Sequence, residues 1–262
     1  MKILFTICGR AGSKGIKNKN ISGFLGIPLP YYTYGAIELF LGKHRDIDAD
    51  IAVNTDSREL LKLFDELKNK KICLLERRKE ISTDSAPKIA VILDCVERME
   101  VMRKKQYDVV IDLDLTSPLR TVRDIEHLVQ KQSETQCDVA FSVTAARRNP
   151  WFNMVKKGDK GYGRVISSHF NARQEAPEVF DMNASLYAYK PEYLRLQKGV
   201  LDGYSEVITM YDTGILDLDH AEDLELMEVI AEHLYKTKPE FGAIRKYAEA
   251  VVKGIGLPEV DT

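Results

Sequence analysis

The sequence predicts an α/β fold with a mostly parallel central sheet flanked by helices, and three observations carry that prediction. Apolar runs of strand length alternate with helical patterns of roughly 10 to 15 residues through the first half, which implies βαβ units. The first run, Ile3 to Cys8, breaks into Gly9-Arg10-Ala11-Gly12-Ser13-Lys14-Gly15, the kind of turn found at the carboxyl ends of parallel strands. Acidic and apolar residues alternate in Ile111-Asp112-Leu113-Asp114, so the two carboxylates share one face of a strand end.

The elements follow in order. Ile3 to Cys8 reads as a buried strand, Tyr31 to Leu41 as a helix, and Ala49 to Val53 as a strand closed by Asn54-Thr55-Asp56-Ser57. Ser57 is placed to cap a helix that runs to about Lys68, since a serine hydroxyl accepts from the first free N–H groups. Ile72 to Leu75 is a strand. Thr83-Asp84-Ser85 is expected to start a long helix carrying Ile89, Leu93, Val96 and Met99, and Val109 to Leu113 reads as a buried central strand. From Arg147 to Phe180 the alternation breaks, with Gly158, Gly161 and Gly163 in a polar stretch; an inserted lobe or hairpin is expected there. Two helical patterns occupy residues 220 to 252, and no internal repeat or low-complexity tract is present.

Composition narrows the function classes. The 262 residues and 44% hydrophobic content suit one large domain and exclude a disordered or fibrous chain. With 38 basic and 40 acidic residues, net charge −2, there is no global field to hold nucleic acid. No apolar run of about 18 residues occurs, and the opening residues are too short for a signal peptide, so a soluble cytoplasmic protein without a membrane partner is expected. Cys8, Cys73, Cys95 and Cys137 form no metal-type spacing and read as reduced thiols.

The chemistry begins at the glycine-rich turn. Three glycines let the backbone approach a polyphosphate and point N–H groups into one concavity, and Ala11, Gly12 and Ser13 of this turn are expected to bind the nucleotide. Arg10, Lys14, Lys17 and Lys19 place positive charge around it. The order Gly12-Ser13-Lys14 is not that of a Walker A loop, and the glycine spacing does not fit a dinucleotide fingerprint. The carboxylates supply the second half. Asp112 and Asp114, and again Asp217 and Asp219 in Ile215-Leu216-Asp217-Leu218-Asp219, are hard oxygen donors of the type that hold Mg²⁺ (or Mn²⁺) beside a triphosphate. The same residues could instead cap neighbouring helices, Asp219 preceding the helix at 222 to 235.

The stretches Thr6 to Ile21, Ile111 to Arg120, Ala146 to Val155, Arg173 to Pro177, Asp181 to Tyr187 and Leu216 to Leu224, taken in order, resemble the CMP-sialic acid synthetase (acylneuraminate cytidylyltransferase) family. Within it they are most similar to bacterial CMP-legionaminic acid synthetases. The resemblance implies a GT-A/Rossmann-like nucleotidyltransferase of one domain, residues 1–262, with a small inserted dimerisation lobe at 147–183. It also implies a homodimer that joins CTP and a nine-carbon 2-keto acid sugar, releasing pyrophosphate. By the resemblance, Arg10, Lys14 and Lys19 neutralise the triphosphate, with Lys19 beside the α-phosphate. Asn20 lies on the base and ribose side, Arg77 reads cytosine, and Ser85 contacts the nucleotide. Thr116, Ser117 and Arg120 lie over the acceptor sugar, and Arg173, Gln174 and Asn183 contact its carboxylate and hydroxyls. Arg173 suits the carboxylate because a guanidinium fork binds it in bidentate fashion. Asp217 and Asp219 are the implied metal ligands, Asp219 also catalytic.

The chain departs from the family pattern in places. Asp114-Leu115 replaces a Gln-Pro pair, so Asp114 either faces the sugar or completes the metal shell. Ala11 stands for a glycine and Gly9 for an alanine. Trp151, the sole tryptophan, suits a dimer contact, a sugar platform or a lobe core equally. A sugar-1-phosphate nucleotidyltransferase on the same fold would need more cations around the sugar. A non-catalytic nucleotide-sugar sensor would not need Lys19, Asp217 and Asp219, all of which are present. His169 and His220 are left without a catalytic role.

Overall fold

β1 (Lys2–Cys8) is buried from Ile3 to Ile7 and pairs in parallel on both sides, which makes it the strand around which the sheet is laid. The computed structural model describes residues 1–12, 15–16, 18–83, 86–213, 218 and 220–254. After β1 come the short antiparallel pair β2 (Gly23–Phe24) and β3 (Ile27–Pro28), then α1 (Leu29–Lys43), β4 (Asp48–Thr55), α2 (Arg58–Glu66) and β5 (Ile72–Glu76). α3 (Lys88–Arg103), β6 (Val109–Leu113), α4 (Val122–Thr135) and β7 (Val139–Ala145) complete the alternating part. β8 (Val155–Gly158), β9 (Gly161–Arg164), β10 (Phe180–Tyr189), α5 (Pro191–Arg195), β11 (Ser205–Thr209), α6 (Ala221–Thr237) and α7 (Pro239–Lys253) follow.

The main sheet has seven strands in the order β11-β7-β10-β6-β1-β4-β5. All neighbours are parallel except β10, which runs antiparallel to both β6 and β7. Side-chain alternation sends Ile3, Phe5, Ile7, Ile51, Val53, Ile111 and Leu113 to one face, against α1, α2, α4, α6 and α7. Leu4, Ala52 and Val110 go to the other, against α3 and α5. Each fully buried Ile, Leu or Phe contributes roughly 1.5–3 kcal/mol, so two apolar faces on one sheet fix a helix–sheet–helix sandwich. The expected α/β class with a mostly parallel sheet is what the chain adopts.

Local chemistry sets the boundaries. α1 begins two residues before the expected Tyr31 because prolines stand at its start, where a missing N–H costs nothing. Ser57 caps α2 as expected, its hydroxyl accepting from Leu60 N at 3.2 Å. α3 does not begin at Thr83–Ser85. It begins at Lys88, with Pro87 as N-cap, since a proline drives the residue before it out of the helical region and bars a helix running through from 83. α4 opens with a capping box between Thr121 and Asp124. In β10 the register slips between Met182 and Tyr187, and Ala184 takes φ +52°. That bulge re-aims the strand end.

β8 and β9 form a separate antiparallel hairpin. The segment before it is organised by Asn149, whose Oδ1 accepts from Trp151 N and whose Nδ2 donates to Pro177 O, both at 2.9 Å. Among the described residues no helix is long and apolar enough to cross a membrane.

Candidate active site

Parallel pairing aligns the carboxyl ends of β1, β4, β5, β6 and β7 along one edge of the sheet, and the residues singled out by sequence gather there. After β1, Gly9 N donates to Asn54 O at 3.3 Å, so the turn is tied to the end of β4. A Cβ on Gly9 would stand 2.7 Å from Leu115 Cδ1 and 2.9 Å from Leu60 Cδ2; the departure at this position permits close packing of the turn on the strand end after β6. Asn20 Nδ2 donates to Arg10 O at 2.9 Å, which draws the short helical turn Lys19–Ile21 back onto the loop. Arg10 and Lys19 are half-exposed. Gly12 holds φ +71°, a conformation glycine adopts without strain. One expectation is corrected: the Ala11 N–H does not face an open concavity but donates to Asp56 Oδ1 at 2.7 Å. Ser13, Lys14, Lys17, Ser85, Asp217 and Asp219 lie outside the described residues.

Asn54 joins the loop to Arg77. Arg77 Nε donates to Asn54 Oδ1 at 3.0 Å and its Nη2 to Asn54 O at 2.9 Å. Asn54 Nδ2 in turn donates to Asp94 Oδ2 at 2.9 Å, and Asp94 is ion-paired with Arg78 and Arg98. Arg77 is thus buried in a fixed orientation, the condition for reading a planar group by its edge.

Asp112 and Asp114 share a face at the end of β6, as the alternation requires, but their partner was not foreseen. Lys88 Nζ lies 2.8 Å from Asp112 Oδ2 and 2.9 Å from Asp114 Oδ2. The remaining oxygens are used as well. Thr6 Oγ1 donates to Asp112 Oδ1 at 2.8 Å, and Thr116 N and Oγ1 donate to Asp114 Oδ1 at 2.9 and 2.7 Å. Burial works to raise the Asp114 carboxyl, yet the Lys88 ammonium and the Thr116 donors outweigh it and hold the group well below the usual carboxylate range. Burial likewise works against the Lys88 ammonium, and Asp112 and Asp114 raise it well above its ordinary value. No local pattern marks Lys88, whose two carboxylate partners lie on another element and meet it only through the fold.

Arg120, expected over the sugar, lies buried beneath the strand end and not at the surface. It is 1% exposed and donates through Nη2 to Asp114 O, while Nε and Nη1 have no hydrogen-bond partner among the described residues. Burial pushes its guanidinium down to about 10 against the pull of Asp114, Asp112 and Asp124. Asn183 is also framework: its Oδ1 accepts from Ser142 Oγ and Ser185 N, and its side chain is buried in the bulge of β10. Ser185 O accepts from Asp114 N at 3.1 Å, so the bulge itself holds Asp114. Thr116 and Ser117 remain half-exposed. Arg173 and Gln174 are exposed on a short helical turn, Arg173 donating to Ala146 O at the end of β7.

Lys88 Nζ stands where Asp112 Oδ2 and Asp114 Oδ2 converge, and Asp112 Oδ2 meets it as an ion pair without a hydrogen bond. Among the described residues no group of three or more His, Cys, Asp or Glu side chains is placed to hold a metal ion.

Three comparisons bear on identity. The chain is 33% identical over 229 residues to the post-translational flagellin modification protein B of Campylobacter coli, covering 87% of this chain and 94% of that one. It is 29% identical over 229 residues to the CMP-N,N'-diacetyllegionaminic acid synthase of Campylobacter jejuni, with the same coverage of 87% and 94%. Its fold superposes on CMP:2-keto-3-deoxy-manno-octonic acid synthetase complexed with CTP with a TM-score of 0.60 at 18% identity, covering 89% of this chain and 99% of that one. The cytidylyltransferase family profile matches residues 4–232, and the chain therefore belongs to the cytidylyltransferase family and is a nucleotidyltransferase.

Proposed function

We propose that this enzyme joins CTP to a nonulosonic acid of the legionaminic or sialic type, giving the CMP-activated sugar and pyrophosphate. The observation that carries the reading is the double use of Asn54, which fixes the glycine-rich loop and Arg77 to one residue. Triphosphate grip and base recognition are thereby held at a set separation. Named relatives with CMP-sugar activities support it.

In this reading the anomeric hydroxyl attacks the α-phosphorus in line. The new P–O bond forms as the bond to the pyrophosphate oxygen breaks, and the hydroxyl proton is released. Negative charge grows on the equatorial and leaving oxygens, so positioning and electrostatics supply the catalysis. Arg10, Lys14 and Lys19 neutralise that charge. Arg173 binds the sugar carboxylate, with Gln174, Thr116 and Ser117 toward its hydroxyls. Arg120 and Asn183 act indirectly, by fixing Asp114 and the β10 bulge. Mg²⁺ or Mn²⁺ would be held by Asp217 and Asp219, neutralising phosphate charge when bound.

The test is product formation from CTP with N-acetylneuraminate, legionaminate, pseudaminate, Kdo and a hexose 1-phosphate in parallel, followed by mass. One nonulosonate should yield its CMP adduct, and Lys19→Ala should lower that turnover about a hundredfold, as loss of one preorganised transition-state donor does. Adducts only with phosphorylated sugars, or an unchanged rate for Lys19→Ala, would contradict the reading.

A further inference from the structure

We propose that Lys88 is a resident cation standing where Asp112 and Asp114 would otherwise hold a divalent ion, so that this carboxylate pair takes no part in metal binding. Asp112 is fully buried and Asp114 is one-quarter exposed, and their Oδ2 atoms converge on a single ammonium at 2.8 and 2.9 Å. Two residues apart on one strand face, they have the hard-donor chemistry of a metal subsite. Mg²⁺ needs six oxygens at roughly 2.0–2.1 Å and gives up water reluctantly. Here each Oδ1 already accepts from Thr6 or from Thr116, and Lys88 Nζ fills the point on which the two Oδ2 atoms converge, so a hydrated ion has no place there while the ammonium stays.

Charge balance points the same way. Lys88 and the buried Arg120 stand among the carboxylates of Asp112, Asp114 and Asp124, so the cluster already holds its own cations. Adding a divalent ion would leave an uncompensated buried charge, whereas removing Lys88 would leave an uncompensated anion. Lys88 also sits in the first turn of α3 against the helix dipole, an unfavourable location that the two carboxylates offset. The Tyr187 ring, its centroid 5.8 Å from Nζ, adds a further surface favourable to a cation.

The experiment is Mn²⁺ binding to the free protein, counted by electron paramagnetic resonance without nucleotide or sugar, so its outcome is independent of the reaction assignment. Wild type and Asp114→Asn should bind the same number of Mn²⁺ ions. Lys88→Met, which keeps the aliphatic stem, should bind one more, and Lys88→Met/Asp114→Asn should lose that additional ion. The proposal is overturned if Asp114→Asn, with Lys88 intact, loses an ion that wild type binds, or if folded Lys88→Met gains none. Should Lys88→Met fail to fold by circular dichroism, the comparison of Asp114→Asn with wild type decides.

Discussion

At Asp114 three kinds of partner meet: an ammonium, a hydroxyl with its own backbone N–H, and a guanidinium on the carbonyl. The native carboxyl is held below its unfolded value of about 3.9, so in acid the unfolded chain binds the extra proton and stability falls with pH. The contribution is complete above about pH 4 and is lost as pH drops through the native value. Lys88 has the opposite sign: its contribution is complete below its unfolded value of about 10.4 and is lost as pH rises through the raised native value. Urea midpoints at pH 5 and pH 2.5 should therefore fall less steeply in Asp114→Asn than in wild type. Equal slopes would place Asp114 outside the acid-sensitive set. The strand-end carboxylates were legible from alternation alone, and Gly9 from its turn. Lys88 was not, because its partner lies 26 residues away in sequence and only the fold brings them together. Arg120 read as a contact, yet motif position says nothing of depth, and the side chain lies buried between the buried Leu119 and Thr121 in sequence.

Among the elements, the alternating part of the chain was readable because each strand is bounded by turn residues and each helix has a periodic apolar face. The start of α3 was misread because a capping pattern at Thr83 competes with Pro87, and the proline's steric restriction prevails. β10 was beyond periodicity: its register slip and left-handed Ala184 interrupt the pattern that marks a strand. The β8–β9 hairpin presents Val155 and Tyr162 to solvent, with Met154 and Ile166 beside it. We propose that residues 147–183 form a dimerisation lobe through these side chains, an apolar surface too prominent for a hairpin that stands alone. Light scattering at micromolar concentration should give a dimer, and Val155→Asp/Tyr162→Asp should give a monomer. A monomeric wild type would contradict this assignment.

For the whole molecule, the main sheet acts as a rigid base whose one edge carries the glycine-rich loop, the Arg77 network, the Lys88 cluster and the exposed Arg173 turn. Burial on both faces of the sheet stabilises that edge, and the polar networks orient what it displays. Membership of the cytidylyltransferase family agrees with this geometry, and the central claim is that this edge transfers a cytidylyl group. It is tested most directly by pyrophosphate release with Mg²⁺, a nonulosonate acceptor and CTP, UTP, ATP or GTP in parallel. Release with CTP alone is the predicted result. Comparable release with UTP or a purine nucleotide, or none with any nucleotide while CTP still binds, would contradict it.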